Sequence, residues 1–212
     1  GASTGKLRDE LGVLPPGDVR QCLVALSEAP KQLRDLFNYR FEEGTLAGHS
    51  FGNLFLSASE KVAGNFADAV RAAGEILRID GEVIPITLDD VRLALQWEDS
   101  KTIRGEGTID TMDFGKYQGG KPHLYLEPDA RINAEAERAI READVVIIAP
   151  GDIYTSLGSL LVVGGVSQAL AKTKAKIMYI SNLVTKPGQT TGFSVADHAS
   201  EIERFAEGPI LD

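Results

Sequence analysis

The chain is poor in the residues that build metal and redox centres. A single cysteine, Cys22, occurs in 212 residues. That excludes an internal disulfide and a thiolate cluster. The three histidines, His49, His123 and His198, are too scattered for HxxxH spacing, so no metal site is read here. Long apolar runs are also lacking. Runs such as residues 145–149 and 160–163 fall far short of the roughly 18 residues a membrane span needs. Basic charge is in deficit: Lys and Arg number 22 against 31 Asp and Glu, a formal charge of −9. That argues against a nucleic-acid partner held by bulk charge. No GxGxxG fingerprint occurs, which leaves a nicotinamide or flavin enzyme without support. No leader pattern is legible, and a cytoplasmic protein is the expectation.

What is present is an ordinary globular balance, with 43% hydrophobic and 25% charged residues. Helical periodicity runs through Val19, Cys22, Leu23 and Leu26, with Asp18 placed to cap and Cys22 read as a small buried hydrophobe. It recurs in Phe51, Leu54, Phe55, Ala58 and Val62 before a stop at Gly64. Phe66, Ala69, Val70, Ala73 and Leu77 repeat it after Asn65. Further stripes follow Asn133, run from Val166 to Thr173, and run from Val195 to Ala206. Val91, Leu93, Leu95 and Trp97 alternate with polar residues, as a half-buried antiparallel strand does. Residues 102–106 and 123–127 are placed to pair beside it. Residues 145–149 and 176–180 read instead as parallel strands covered on both faces. The stretch 105–123, rich in Gly, Asp and Lys, reads as a long hairpin loop or mobile flap. The expected fold is α/β: one domain over residues 1–212, with a small inserted antiparallel lobe at 82–128.

Two loops stand at carboxyl ends of the parallel strands, where open α/β sheets bind ligands. The first is Pro150-Gly151-Asp152-Ile153-Tyr154-Thr155-Ser156. The second runs from Ser181 through Asn182, Thr185 and Gly188 to Thr190 and Gly192. Small residues, hydroxyls and backbone N–H groups ahead of a helix suit a phosphate or another oxyanion. Tyr154 and Phe193 are the aromatics placed to meet a base or sugar face, with core packing the plainer role for Phe193.

Three earlier segments carry weaker signals. Gly1-Ala2-Ser3-Thr4-Gly5-Lys6 fails the P-loop spacing, since three residues separate its glycines and Leu7 follows Lys6. It retains the makings of a backbone anion cradle. In Pro15-Pro16-Gly17-Asp18-Val19-Arg20, Arg20 sits badly for the helix dipole. It faces either an anion or, more simply, a neighbouring carboxylate. Gly48-His49-Ser50-Phe51-Gly52-Asn53 places poor helix formers at a helix entrance. Either a ligand approaches the backbone there, or Ser50 caps and Gly52 permits close packing.

Together these segments resemble a known family. Ser3-Thr4-Gly5-Lys6-Leu7-Arg8, the Pro15–Arg20 motif, residues 46–54, the Gly151 and Asn182 loops and Val195-Ala196-Asp197-His198 occur in the order found in YvcK-type gluconeogenesis factors. Those belong with the 2-phospho-L-lactate transferase (CofD-like) superfamily. The resemblance implies a Rossmann-like parallel-sheet core with helices on both faces and a nucleotide-type ligand. Its pattern places a strand, a Gly-rich loop and paired aspartates ahead of Gly1, and at least one strand beyond Asp212. The expectation is therefore a family core lacking its first βα unit. Asp152 stands where many relatives carry Ser, and Gln189 where many carry Glu.

The regulatory branch of this family implies binding of UDP-N-acetylglucosamine in gluconeogenic growth and cell-wall and cell-shape control. On that reading Gly17, Asp18, His49, Ser50, Asn53, Gly151, Asp152, Tyr154, Thr155, Ser156, Asn182, Thr185, Gly188 and Thr190 contact the ligand. Backbone N–H groups and hydroxyls supply most anion contacts, and no cofactor is required. The transferase branch implies instead a phospholactate group moved from a guanosine-diphosphate carrier to the deazaflavin Fo. That chemistry adds magnesium and makes His49 the base. A protein-docking role and a homo-oligomer stay open.

Overall fold

The computed structural model describes Leu7 and residues 11–98, 101–117 and 120–212. The Gly1-Ala2-Ser3-Thr4-Gly5-Lys6 loop and Arg8 lie outside the described residues. The chain falls into two compact units, Gly1–Leu88 and Asp89–Asp212.

The first unit is helical, with α1 (Gly17–Ala25), α2 (Lys31–Asn38), α3 (Phe51–Ala63) and α4 (Phe66–Leu77). Leu23, Phe37, Leu56, Val70 and Leu77 form its core. The caps follow local chemistry. Ser50 Oγ accepts the Asn53 N–H at 3.3 Å, and Asn65 Oδ1 accepts the Asp68 N–H at 2.9 Å. Gly64 closes α3 in the left-handed conformation at φ 84°. Three expectations are corrected. Asp18 lies inside the first turn and does not cap, because Pro16 already starts the helix. Cys22 is exposed, since the buried line of α1 runs through Pro16, Arg20, Leu23 and Ser27 at three-to-four spacing. Val62 is exposed as well, because α3 turns Gly52, Asn53, Leu56 and Ser57 inward.

The second unit is mixed α/β. Strands β1 (Arg92–Gln96), β2 (Ile103–Arg104) and β3 (His123–Glu127) form an antiparallel sheet in the order β2-β1-β3. Leu93 pairs with Leu126 and Leu95 with Leu124. The expected wet face of β1 is incomplete, because Ala94 is buried along with Leu93 and Leu95. The stretch read as a flap is structured. It holds α5 (Glu106–Asp110) and a 3-10 turn at Phe114–Lys116. Ile109 is fully buried, Trp97 stacks on Tyr117 at 4.3 Å, and Phe114 meets Trp97 edge-on at 5.1 Å. Isolated apolar residues within polar sequence thus anchor the segment.

Helix α6 (Ala134–Glu142), capped by Asn133, leads into β4 (Val145–Ile148). A π-helical turn (Ile153–Gly158), α7 (Ser159–Leu161) and α8 (Val166–Lys172) lead on to β5 (Lys176–Tyr179), which pairs parallel with β4. Helix α9 (Val195–Phe205) starts from a Ser194–Asp197 capping box. Ile177 faces inward, whereas Val145, Ile147, Met178 and Ile180 are about half exposed.

Candidate functional site

The two loops at the carboxyl ends of β4 and β5 meet. Gly151 N donates to Asn182 Oδ1 at 3.0 Å, and Asn182 Nδ2 donates back to Gly151 O at 2.8 Å. An amide side chain thus mimics a backbone pair and fixes one loop to the other. Beside this clasp lies a cavity of about 290 Å3, lined by Asp152, Ile153, Asn182, Val184, Thr185, Lys186 and Thr190.

Asp152 organises the first loop. Its Oδ1 accepts the N–H groups of Tyr154 at 3.1 Å and Thr155 at 3.2 Å, and its Oδ2 holds Lys186 Nζ. Lys186 Nζ also binds Asp110 Oδ1 at 2.6 Å. Burial by itself would raise the Asp152 pKa. The lysine and the two amides outweigh it and hold the carboxylate below its usual range. Burial would likewise lower the Lys186 pKa, but the two carboxylates raise it. The second loop closes on itself. Lys186 N donates to Thr190 Oγ1 at 2.7 Å, Gly188 N to Thr191 Oγ1 at 2.9 Å, and Thr190 N to Lys186 O at 2.9 Å.

This bonding corrects the expectation that backbone N–H groups supply the anion contacts. The amides of Gly151, Tyr154, Thr155, Lys186, Gly188 and Thr190 already have acceptors within the loops. The Asp152 carboxylate itself stands where a bound anion would meet the Tyr154 and Thr155 amides. What remains open is a polar lining of Asn182, Thr185 and Thr190 beside Asp152 and Lys186. Such a lining suits hydroxyl recognition, with acceptor and donor groups side by side.

Of the residues read from sequence, Asp152, Asn182, Thr185 and Thr190 line the cavity, and Gly151 is clasped beside it. The others in this unit have different placements. Tyr154 is buried between Phe114 and Phe205, at 4.6 and 5.8 Å, so its ring belongs to the core and offers no face to a ligand. Thr155 is buried, while Ser156 is exposed with its carbonyl bonded to Ser159 Oγ at 2.7 Å. Gly188 accepts the Phe114 N–H at 2.7 Å and is structural. Phe193 packs edge-on to His198. Gly17, Asp18, His49, Ser50 and Asn53 belong to the first unit. There Asp18 is exposed, His49, Ser50 and Asn53 are buried, and Ser50 caps.

Ile153, Val184 and Lys186 in the lining, and Asp110 behind the lysine, are the site residues that sequence reading missed. Lys186 lies within a quoted motif, but its partner Asp110 is 76 positions away. Among the described residues, the two acids at the cavity do not suit magnesium. Asp152 and Asp110 both hold one ammonium group, which takes the place a divalent cation would need. Among the described residues no group of three or more His, Cys, Asp or Glu side chains is arranged to hold a metal. Among those residues, too, no helix is long and apolar enough to cross a membrane.

Comparison with known proteins places this geometry in context. Residues 1–212 match the family described as 2-phospho-L-lactate transferase CofD. A putative gluconeogenesis factor of Clostridium acetobutylicum is 41% identical over 213 residues, covering 100% of this chain and 47% of that protein. One from Thermotoga maritima is 44% identical over 209 residues, covering 98% of this chain and 64% of that protein. The gluconeogenesis factor of Bacillus subtilis is 38% identical over 215 residues, covering 100% and 66%. The chain therefore spans about half to two thirds of the length of these relatives. A crystal structure of a UPF0052-family protein from Bacillus halodurans superposes with a TM-score of 0.91 at 38% identity. It covers 100% of this chain and 67% of its own.

Proposed function

The chain belongs to the CofD family, and on that premise we propose that it is the ligand-binding part of a nucleotide-sugar-binding regulator of the gluconeogenesis-factor type. The ligand is a UDP-N-acetylglucosamine-like molecule, and the protein acts in the cytoplasm in gluconeogenic growth and cell-wall and cell-shape control. The relatives named gluconeogenesis factor support the regulatory half of this reading. The observation that carries the ligand half is the Gly151–Asn182 clasp, which builds a polar cavity at the carboxyl ends of two parallel strands. At about 290 Å3 the cavity lies at the foot of the roughly 300–1,000 Å3 range of ligand pockets. It is sized for one part of a nucleotide sugar. Its hydroxyl and amide lining suits the sugar.

Thermal unfolding of the chain with UDP-N-acetylglucosamine, UDP and GDP tests this. Ligand at 100 times its Kd stabilises the native state by about 2.7 kcal/mol. UDP-N-acetylglucosamine is expected to raise the Tm more than UDP alone, and the gain is expected to vanish in Asn182→Ala. No rise at millimolar ligand overturns the reading. A larger rise with GDP transfers it to the transferase branch.

A further inference from the structure

Two stretches far apart in sequence are bonded together next to the cavity. Residues 109–114, from the carboxyl end of α5 into the 3-10 turn, lie against the second loop. Gln189 makes most of the join. It is 6% exposed and stands outside the cavity lining. Its Nε2 donates to Ile109 O at 2.8 Å, Asp110 O at 3.1 Å and Met112 O at 3.4 Å. Its Oε1 is buried without a partner. The side chain therefore acts here as a donor, with two N–H bonds shared among three carbonyls. Those carbonyls stand at the end of a five-residue helix, where the last turn leaves acceptors to be met from outside.

Other contacts run beside this one. Phe114 N donates to Gly188 O at 2.7 Å, and Lys186 Nζ binds Asp110 Oδ1 at 2.6 Å. Gly188, at φ 78°, lies so close to Asp113 that a methyl on it would stand 3.2 Å from the Asp113 Cα. The same segment reaches the first loop, where Phe114 meets Tyr154 edge-on at 4.6 Å. Residues 109–114 thus touch both loops that frame the cavity. The turn that Gln189 ties down is rigid within itself. Lys186 N donates to Thr190 Oγ1, and Thr190 N donates back to Lys186 O. Lys186 and Thr190 both line the cavity, so the bonds of Gln189 set the place of the two together.

We propose that Gln189 is a positioning residue, which fixes the Lys186–Thr190 wall of the cavity by tying it to residues 109–114 of the antiparallel lobe. The consequence for ligand affinity rests on the reading of this cavity as a ligand site. Coupling is reciprocal: what loosens the join weakens the ligand, and a ligand held by the turn tightens the join.

The test is hydrogen exchange on the whole chain, first without ligand and then with UDP-N-acetylglucosamine. Without ligand, Gln189→Met is expected to speed exchange about tenfold at the Lys186, Thr190 and Phe114 amides, with α8 unchanged. Gln189→Glu is expected to do the same while ionised, since a carboxylate only accepts. It should regain protection as the pH falls, because the protonated acid has one donor again. Burial among carbonyls raises the pKa of that carboxyl. The charged groups of the two bonded segments, Asp110 and Asp113 against Lys186, leave one negative charge in excess, which acts the same way. A side chain that only filled space would show no such recovery. The protonated form also keeps the test decisive where Gln189→Met does not fold. With ligand, Gln189→Met is expected to bind about fivefold more weakly or worse, and exchange at Phe114 to slow in the parent. Unchanged exchange in Gln189→Met, or no recovery of Gln189→Glu on acidification, overturns the proposal. So does equal affinity, or a Phe114 amide that a bound ligand leaves untouched. If UDP-N-acetylglucosamine does not bind the parent, the proposed ligand falls, and exchange without ligand still decides the role of Gln189.

Discussion

Asn182 holds Gly151 by both of its backbone polar groups, accepting from its N–H at 3.0 Å and donating to its carbonyl at 2.8 Å. The pair fixes the two loops that frame the cavity. Alanine at position 182 removes both bonds and leaves two partly buried groups without partners. A loss of about 1–3 kcal/mol is expected. Urea unfolding of Asn182→Ala should show it. Hydrogen exchange should show faster exchange at the Gly151 amide, with α6 and α8 unchanged.

Asp152 caps the π-helical turn and repels anions at the same time. Asp152→Ala frees the amides of Tyr154 and Thr155, removes a negative charge and leaves Lys186 with Asp110 alone. Loss of the cap costs about 0.5–2 kcal/mol. A unit charge about 4 Å from a bound phosphate is worth on the order of 1–4 kcal/mol between watery and surface dielectrics. The variant is therefore expected to be less stable yet to bind pyrophosphate at the cavity more tightly than the parent. Calorimetric titration of both proteins measures this, and equal or weaker binding contradicts the assignment of Asp152.

Much of the local structure was legible because it depends on neighbours in sequence. Ser50, Asn65 and Asn133 cap where their positions before apolar stripes indicate, and Gly64 stops α3. The parallel strands and the loops at their ends were legible for the same reason. Contacts between distant segments were not. Nothing near Lys186 points to Asp110, and nothing in residues 105–123 shows that Ile109 and Phe114 reach the core. Arg20 inverted the usual rule. A charged residue turned inward rotated α1 and exposed Cys22.

The Lys186 ion pairs set a pH dependence of definite sign. The Asp152 carboxyl is held below its unfolded value, so its stabilisation is present above the ordinary carboxylate range and is lost as pH falls through the folded value. Lys186 is held above its unfolded value, so its share is present below the ordinary lysine range and is lost as pH rises through the folded value. Lys186→Met removes the lysine's own contribution and the lysine's part of the Asp152 contribution, while the Tyr154 and Thr155 amides keep theirs. The Tm difference between parent and variant should be flat near neutrality and shrink at both extremes. A difference that grows below pH 4 contradicts the pairing.

The largest expected effect lies away from the cavity, at Glu201. This carboxylate is fully buried, 2.7 Å from Arg204 Nε and 3.3 Å from Lys121 Nζ. Arg204 in turn stacks over Phe205, with Cζ 4.5 Å from the ring centre, and donates to Pro122 O. Removing one member of such a group strands the charge of the others, at a cost of about 3–5 kcal/mol. Burial, and then the charge of Glu201, push the Tyr154 phenol up beyond the ordinary tyrosine range. Glu201→Gln keeps the shape and removes the charge. Chemical unfolding should place Glu201→Ala well below Glu201→Gln in stability. Absorbance at alkaline pH should show Tyr154 titrating earlier in Glu201→Gln than in the parent. It should still titrate later than an exposed tyrosine, because burial, the larger cause, remains. An unchanged tyrosine titration in Glu201→Gln would show that the two side chains are not coupled.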